Sequence, residues 1–195
     1  HLRTGGRKRA DLQRSKCPGG GYAGKKTALA ADLQRQITAE VEALIGAGAA
    51  EHLDFEAIET AARREALKVA AYAVAQRLNA DHTDHCGPTA PCGCGQLARY
   101  AGRHRKRFQT ALGEMTLERA YYHCSACQQG YFPRDRALGI VDTSLSPALT
   151  RMIGLVGAMV SFEEGGELLG ELAGVRLNAK QVERTAEALG HEIAA

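Results

Sequence analysis

The amino-acid sequence predicts an α+β fold, mainly helical, and three observations carry that prediction. Apolar residues recur every three or four positions on both sides of a central segment. Within that segment the period switches to two, the alternation expected of strands. Four of the six cysteines fall in two tight pairs that bracket the alternating stretch. The chain has 195 residues, 45% hydrophobic and 24% charged, so it is long enough for a core and too ordinary in charge for wholesale disorder.

Residues 1–26 are Gly-rich and basic without hydrophobic periodicity and predict a flexible arm. Their GGGYAGKKT stretch is no phosphate-binding loop, because Lys26 stands where a Ser or Thr must hold magnesium and no apolar strand precedes it. A helical hairpin is expected over 27–80. Its first helix carries Leu29, Leu33, Ile37, Val41, Leu44 and Ile45, with Gly46 and Gly48 as its stop. Its second is capped by Asp54 and turns Phe55, Ile58, Ala62, Val69, Val74 and Leu78 inward. Such a pair serves packing or self-association, and these helices are the candidate surface for a homo-oligomer.

Residues 79–95 are turn-forming and mark a boundary. Lys106–Leu112 and Met115–His123 then read as strands joined by a type II′ turn at Gly113–Glu114. Helical signals return after Gly139, over 144–195. Ser146 caps a helix that has Pro147 at its first position, with Leu149, Met152, Ile153, Val156 and Val160 on one face. Ser161 and Glu164 make a capping box for a second helix with Phe162, Leu168, Leu169 and Leu172 inward and Gly174 as stop. Asn178 and Gln181 open a third, with Val182, Leu189 and Ile193. That pattern reaches Ala195 with no stop but Gly190, so the chain is expected to continue.

Charge alternates in blocks. Residues 1–26 hold eight Lys or Arg against Asp11 alone, 27–85 five bases and ten acids, 86–136 eight bases and three acids, and 137–195 four bases and eight acids. The first and third blocks suit a polyanion, although solvated surface is the plainer account of any one basic run. No apolar run approaches the roughly 20 residues of a membrane-spanning helix, and no secretory leader is evident, so a cytoplasmic protein with no membrane partner is expected.

In that compartment cysteines are metal ligands before they are disulfides. Cys92 and Cys94 precede the 86–136 ribbon's hairpin and Cys124 and Cys127 follow it. Two short Cys turns brought together by a hairpin supply the four soft donors that tetrahedral zinc requires, the logic of a zinc ribbon. The first pair is one residue tighter than the usual Cys-x-x-Cys, leaving Cys86, His85 and His123 as substitutes for one ligand. Cys17 lies in the arm and has no assigned role. A structural zinc site does no chemistry itself; it stabilises a hairpin too small to fold alone.

That hairpin carries Arg99, Arg103, His104, Arg105, Lys106 and Arg107, with Tyr100 and Phe108 alongside, a candidate phosphate-contacting surface. Downstream, Phe162–Ala173 and Ala179–Gly190 are spaced as a helix-turn-helix, which makes Lys180, Gln181 and Arg184 candidates for DNA contact. No nuclease or hydrolase constellation emerges. Asp142 after Gly139–Ile140–Val141 lacks the further strands and carboxylates of an RNase H-like site and reads as a turn residue.

The stretch PCGCGQLARYAGRHRKRFQTALGEMTLERAYYHCSACQQGYFPRD resembles the ribbon region of bacterial insertion-sequence transposases of the Kra group. LTRMIGLVGAMVSFEEGGELLGELAGVRLNAKQVERTAEALG resembles the helical segment that follows it there. The resemblance covers about residues 55–195; residues 1–26 do not match. It implies the DNA-binding N-terminal portion of a transposase that recognises transposon ends in double-stranded DNA near the nucleoid. Cys92, Cys94, Cys124 and Cys127 carry over as zinc ligands. The implied catalytic domain, RNase H-like and dependent on magnesium or manganese, would lie beyond this chain, so no catalytic residue carries over and the fragment itself is no enzyme. The alternative is a zinc-stabilised protein-interaction module without DNA specificity.

Overall fold

The structure is a computed structural model that describes residues 23–46 and 54–194. The predicted arm through residue 22, Cys17 and Gly48 lie outside the described residues. The fold is α+β: six helices and one antiparallel four-stranded sheet of order β1-β2-β3-β4 among the described residues. The strands are β1 (Thr89–Pro91), β2 (Leu97–Thr110), β3 (Gly113–Cys124) and β4 (Gln129–Tyr131).

Helices α1 (Ala23–Gly46) and α2 (Phe55–Asn79) form the N-terminal pair. Asp54 caps α2 as its sequence demands, accepting a 2.8 Å bond from the Ala57 N–H. The Tyr72 hydroxyl donates to Asp32 across the pair, and Lys68 reaches Glu40 at 3.8 Å. The expected apolar seam is only partly covered: Val41, Phe55, Ile58 and Val74 remain exposed. The reason is where α2 docks. Only its C-terminal half lies on the sheet, where Ala71, Ala75 and Leu78 meet Phe108, Met115, Leu117 and Ile140. Asn79 ends α2 by pairing its amide with the free edge of β3, donating to the Thr116 carbonyl at 3.1 Å and accepting from the Glu118 N–H at 2.9 Å.

β2 starts nine residues earlier than alternation predicted, and the turn falls two residues earlier. Pairing runs from Arg99↔His123 to Thr110↔Gly113, with a bulge between Tyr100 and Arg103 at Gly102 (φ 101°). Ala111 and Leu112 make the turn, and neither has positive φ. A II′ turn is therefore excluded; the left-handed position is Gly113 (φ 108°), where a type I turn closed by a glycine bulge needs it. Thr110 fastens the turn by donating to the Gly113 carbonyl at 2.7 Å and accepting from the Leu112 N–H at 3.1 Å.

A short helix, α3 (Asp135–Leu138), follows β4. Arg119, sandwiched between Phe108 and Phe132, holds it through a buried pair with Asp135. Burial pushes the Asp135 carboxyl up, against the pull of that guanidinium. Asp142 is a turn residue with φ 54°. Residues 144–146 then line up along β2, with Gln109 N–H bonded to the Ser144 carbonyl and Ser146 N–H to the Gln109 carbonyl, at 2.8 and 2.9 Å.

Helices α4 (Pro147–Gly157), α5 (Phe162–Ala173) and α6 (Ala179–Ala194) surround Leu149, Ile153, Leu169, Val175, Leu177 and Val182. The caps follow the sequence: Ser146 on α4, the Ser161/Glu164 box on α5, and a reciprocal Asn178/Gln181 pair on α6. Gly174, left-handed at φ 67°, stops α5, whereas α6 runs through Gly190. Leu168 and Leu172, expected inward, are exposed at 38% and 70%, and Ile193 at 86%. Leu169 and Phe162 do face the core, and the rest of the contact face of α5 is glycine. A Cβ on Gly165 would lie 2.9 Å from Val156, and one on Gly166 would lie 2.7 Å from the Leu177 carbonyl oxygen. The helices approach at a distance that leucine would prevent.

Two outcomes follow. Gly166→Ala is expected to destabilise the protein by about 1–3 kcal/mol, since a backbone carbonyl cannot step aside. Gly170→Ala, in the same helix with nothing within 4 Å, is expected to add about 0.5–1 kcal/mol through helix propensity. Urea midpoints of the two variants moving the same way would contradict the glycine contact.

Candidate metal centre

Two turns at one end of the sheet converge. Cys92 and Cys94 sit in the turn between β1 and β2; Cys124 ends β3 and Cys127 lies in the turn before β4. The sulfurs pair as Cys92–Cys127 at 3.6 Å and Cys94–Cys124 at 3.7 Å, and all four lie within 4.8 Å of one another. They are free thiols. A tetrahedron of zinc–thiolate bonds of about 2.3 Å has edges of about 3.8 Å, so the spacing fits a metal bound at its centre. The all-sulfur donor set is chemically suited to a soft structural ion such as zinc.

Local backbone explains the tight first pair. Gly95 adopts φ 84° and donates to the Cys92 carbonyl at 3.0 Å, while the Cys92 N–H returns to the Gln96 carbonyl at 2.8 Å. Closing the loop within one residue of Cys94 requires that left-handed glycine. In the second turn Gln128 is left-handed at φ 57°, and its amide donates to the Ser125 carbonyl at 2.7 Å. The Cys127 N–H points at the Cys124 sulfur and, with help from Ala126, holds that thiol down at about 7 despite burial. Cys127 receives the Gln129 N–H, yet burial and the other three sulfurs push it up to about 12 in the metal-free protein. Metal binding would discharge that accumulated repulsion.

The alternative ligands lie elsewhere. The His85 ring meets Tyr100 edge-on at 4.5 Å, and the Cys86 N–H donates to the Tyr122 hydroxyl at 2.8 Å. His123 sits on β3 opposite Arg99. None joins the sulfur cluster, whose members among the described residues are the four paired cysteines. Behind it stands a small core of Ala90, Ala98, Ala120, Tyr122 and Cys124. Tyr131 stacks on Tyr122 and donates to the Pro91 carbonyl at 2.7 Å, tying β4 to β1 across the site.

The basic residues divide into two kinds. Arg103 makes a two-pronged pair with Asp84, at 2.9 and 3.3 Å, and also donates to the Glu118 carbonyl. Asp84 is 2% exposed and additionally accepts the Ala120 N–H at 2.7 Å. Arg103 is thereby committed inside the protein. Lys106 is bonded to the Thr143 carbonyl at 2.8 Å. Arg105 pairs with Glu118 and Arg107 lies 3.9 Å from Glu114, but both side chains are more than three-quarters exposed. Arg99 is exposed. On α6, Lys180 and Arg184 are exposed, while the Gln181 side chain is used in the α6 cap. Asp84 was missed at the sequence level: an isolated acid in a turn-rich stretch gives no sign that a bulged strand will present arginine to it.

Comparison with protein families, with curated proteins and with solved structures finds no match for this chain. Its fold and site define it as a small α+β protein with a four-sulfur centre of metal-binding geometry. No helix among the described residues is long and apolar enough to cross a membrane.

Protein prepared without chelator is expected to carry about one zinc per chain by elemental analysis, and Cys124→Ser is expected to lose it. Cys86→Ser should keep it; equal loss would place Cys86 in the ligand set. Asp84→Ala is expected to cost about 3 kcal/mol in zinc-loaded protein, because it strands the Arg103 guanidinium and the Ala120 N–H. A urea midpoint unchanged from the parent would refute that role.

Proposed function

We propose that this chain is the DNA-binding portion of a transposase, engaging transposon ends in double-stranded DNA. The observation that carries the proposal is the placement of a strand with five cations and no acid, β2, on a hairpin closed by the four-sulfur cluster. The structural ion is zinc, held by Cys92, Cys94, Cys124 and Cys127. A rigid sheet presents Arg105 and Arg107 side by side on one face, two positions apart, at a spacing suited to adjacent phosphates.

The helical unit supports the same reading. α5 and α6 are joined by the five residues 174–178 and braced by α4, the arrangement of a helix-turn-helix. Lys180 and Arg184, four positions apart, share the exposed side of α6 near its N-terminus, where groove contacts are made. Gln181, with its amide in the cap, positions that helix rather than reading a base. Strand transfer belongs to a separate RNase H-like domain using magnesium or manganese, so the reading assigns this portion no catalysis of its own. The site of action is the bacterial cytoplasm, at the nucleoid.

A second reading rests on the apolar residues left exposed on α1 and α2, among them Val41, Phe55 and Ile58: they suit assembly with another copy of the chain. A mobility shift separates the two. In the DNA-binding reading, duplex DNA is retarded at low salt, and replacing Arg105 and Arg107 with Ala weakens binding to all sequences alike. That double replacement should lower the salt slope by about two units, roughly one for each phosphate no longer neutralised. Replacing Lys180 and Arg184 should reduce discrimination between transposon-end and random DNA. Absence of any retardation at low salt would leave the interaction module standing.

A further inference from the structure

The opposite face of the sheet carries residues that neither the metal centre nor the duplex contacts use. Cross-strand register sets Arg99 against His123 and His104 against Arg119, and alternation adds Tyr121 to that face. Three rings gather there. His104 stacks on Tyr121, with centroids 4.5 Å apart and planes 28° from parallel; Tyr121 lies 5.0 Å from Phe132, and His104 meets Phe132 edge-on at 6.1 Å.

The lower rings of this stack cannot move freely. The Tyr121 phenol lies so close against Gly130 that any Cβ there would overlap it. Phe132 has the Arg119 guanidinium 3.9 Å from its ring centre, and Arg119 is itself held by Asp135. His104 is different: it is exposed, resting on a preorganised support. Arg99, on the same face, is exposed and makes no ion pair among the described residues. The acid in this neighbourhood, Asp135, is already committed to Arg119.

An open planar ring and, five positions earlier on β2, a cation with no ion pair among the described residues together match an extended ligand that has both π-faces and a polyanionic backbone. Inorganic phosphate would use Arg99 and leave the stack idle; an aromatic peptide would use the stack and leave the charge idle. A base within a duplex has both faces covered by its neighbours, so only an unpaired base can occupy the position. We infer that this face binds single-stranded DNA, with an unpaired base stacked on His104 and a backbone phosphate further along the strand at Arg99. The choice of DNA as the polyanion rests on the function proposed above, but the residues do not overlap: Arg105 and Arg107 lie on the other face.

The test uses the full zinc-loaded chain and fluorescence anisotropy with three probes: a short oligothymidine, a strand of the same length made of abasic sites, and a duplex. The parent is expected to bind oligothymidine more tightly than the abasic strand. His104→Ala should weaken oligothymidine at least about fivefold and leave the abasic strand and duplex unchanged, and His104→Phe should restore it. Arg99→Ala should weaken oligothymidine and the abasic strand together. Zinc content confirms that each variant is folded at this end of the sheet. Equal affinity for the two single strands, an unaffected His104→Ala, or failure of His104→Phe to restore binding each overturns the inference. Base-dependent strand binding without duplex-end recognition would overturn the proposed function and leave this inference in place; end recognition without base dependence would do the reverse.

Discussion

Convergence of four sulfurs within 4.8 Å is the constraint on which the rest of this protein depends. The core beneath them is mostly alanine, and burying alanine contributes far less than the roughly 1.5–3 kcal/mol of a buried leucine or phenylalanine. Two strands of three residues, β1 and β4, could not hold the ends of the hairpin by their own few bonds. A metal bridging the two turns would supply energy on the order of 10 kcal/mol, enough to make this end of the sheet rigid. The long hairpin then serves as the spine to which α2 docks at one face and residues 144–146 at one edge.

Buried charge secures the connections to that spine. Asp84, in the segment after α2, is fixed by Arg103 and by the Ala120 N–H; Asp135, opening α3, is fixed by Arg119. Breaking such a pair leaves an uncompensated charge, so each holds its segment in one place even where its net contribution is small. The cost falls on the basic surface. A strand whose composition suggests a uniform cationic stripe spends Arg103 and Lys106 on internal bonds and presents Arg105 and Arg107 on one face and Arg99 on the other. That division gives the two faces different chemistry, one with paired arginines and one with a cation and, further along β2, a stack of rings.

The helical parts show the same competition between pattern and contact. Glycine at 165 and 166 brings α5 so close to Val156 and the Leu177 carbonyl that Leu168 and Leu172 turn to solvent. In α2 the apolar stripe is longer than the sheet it can cover, so Phe55 and Ile58 remain uncovered while Ala71 is buried. Arg63 reaches the carbonyls of Glu171 and Leu172, so the exposed half of α2 also cushions the negative end of α5.

Much of this was determined by sequence alone, wherever a few neighbouring residues suffice. Asp54, Ser146, the Ser161/Glu164 box and the Asn178/Gln181 pair set helix starts because a cap is satisfied within one turn of chain. The two cysteine pairs announced one cluster because a hairpin must bring its ends together. The tertiary structure decided what needs distant partners. It placed the turn at Ala111–Leu112, since register is chosen by which strand residues meet the core and not by the first glycine available. It extended β2 back to Leu97, because β1 pairs with it there, and a charged strand gives little alternation to read. It chose Cys92 over Cys86, His85 and His123, and it assembled the His104–Tyr121–Phe132 stack across three segments. Periodicity records which side chains share an element's face; which element covers that face is decided only when the chain has closed on itself.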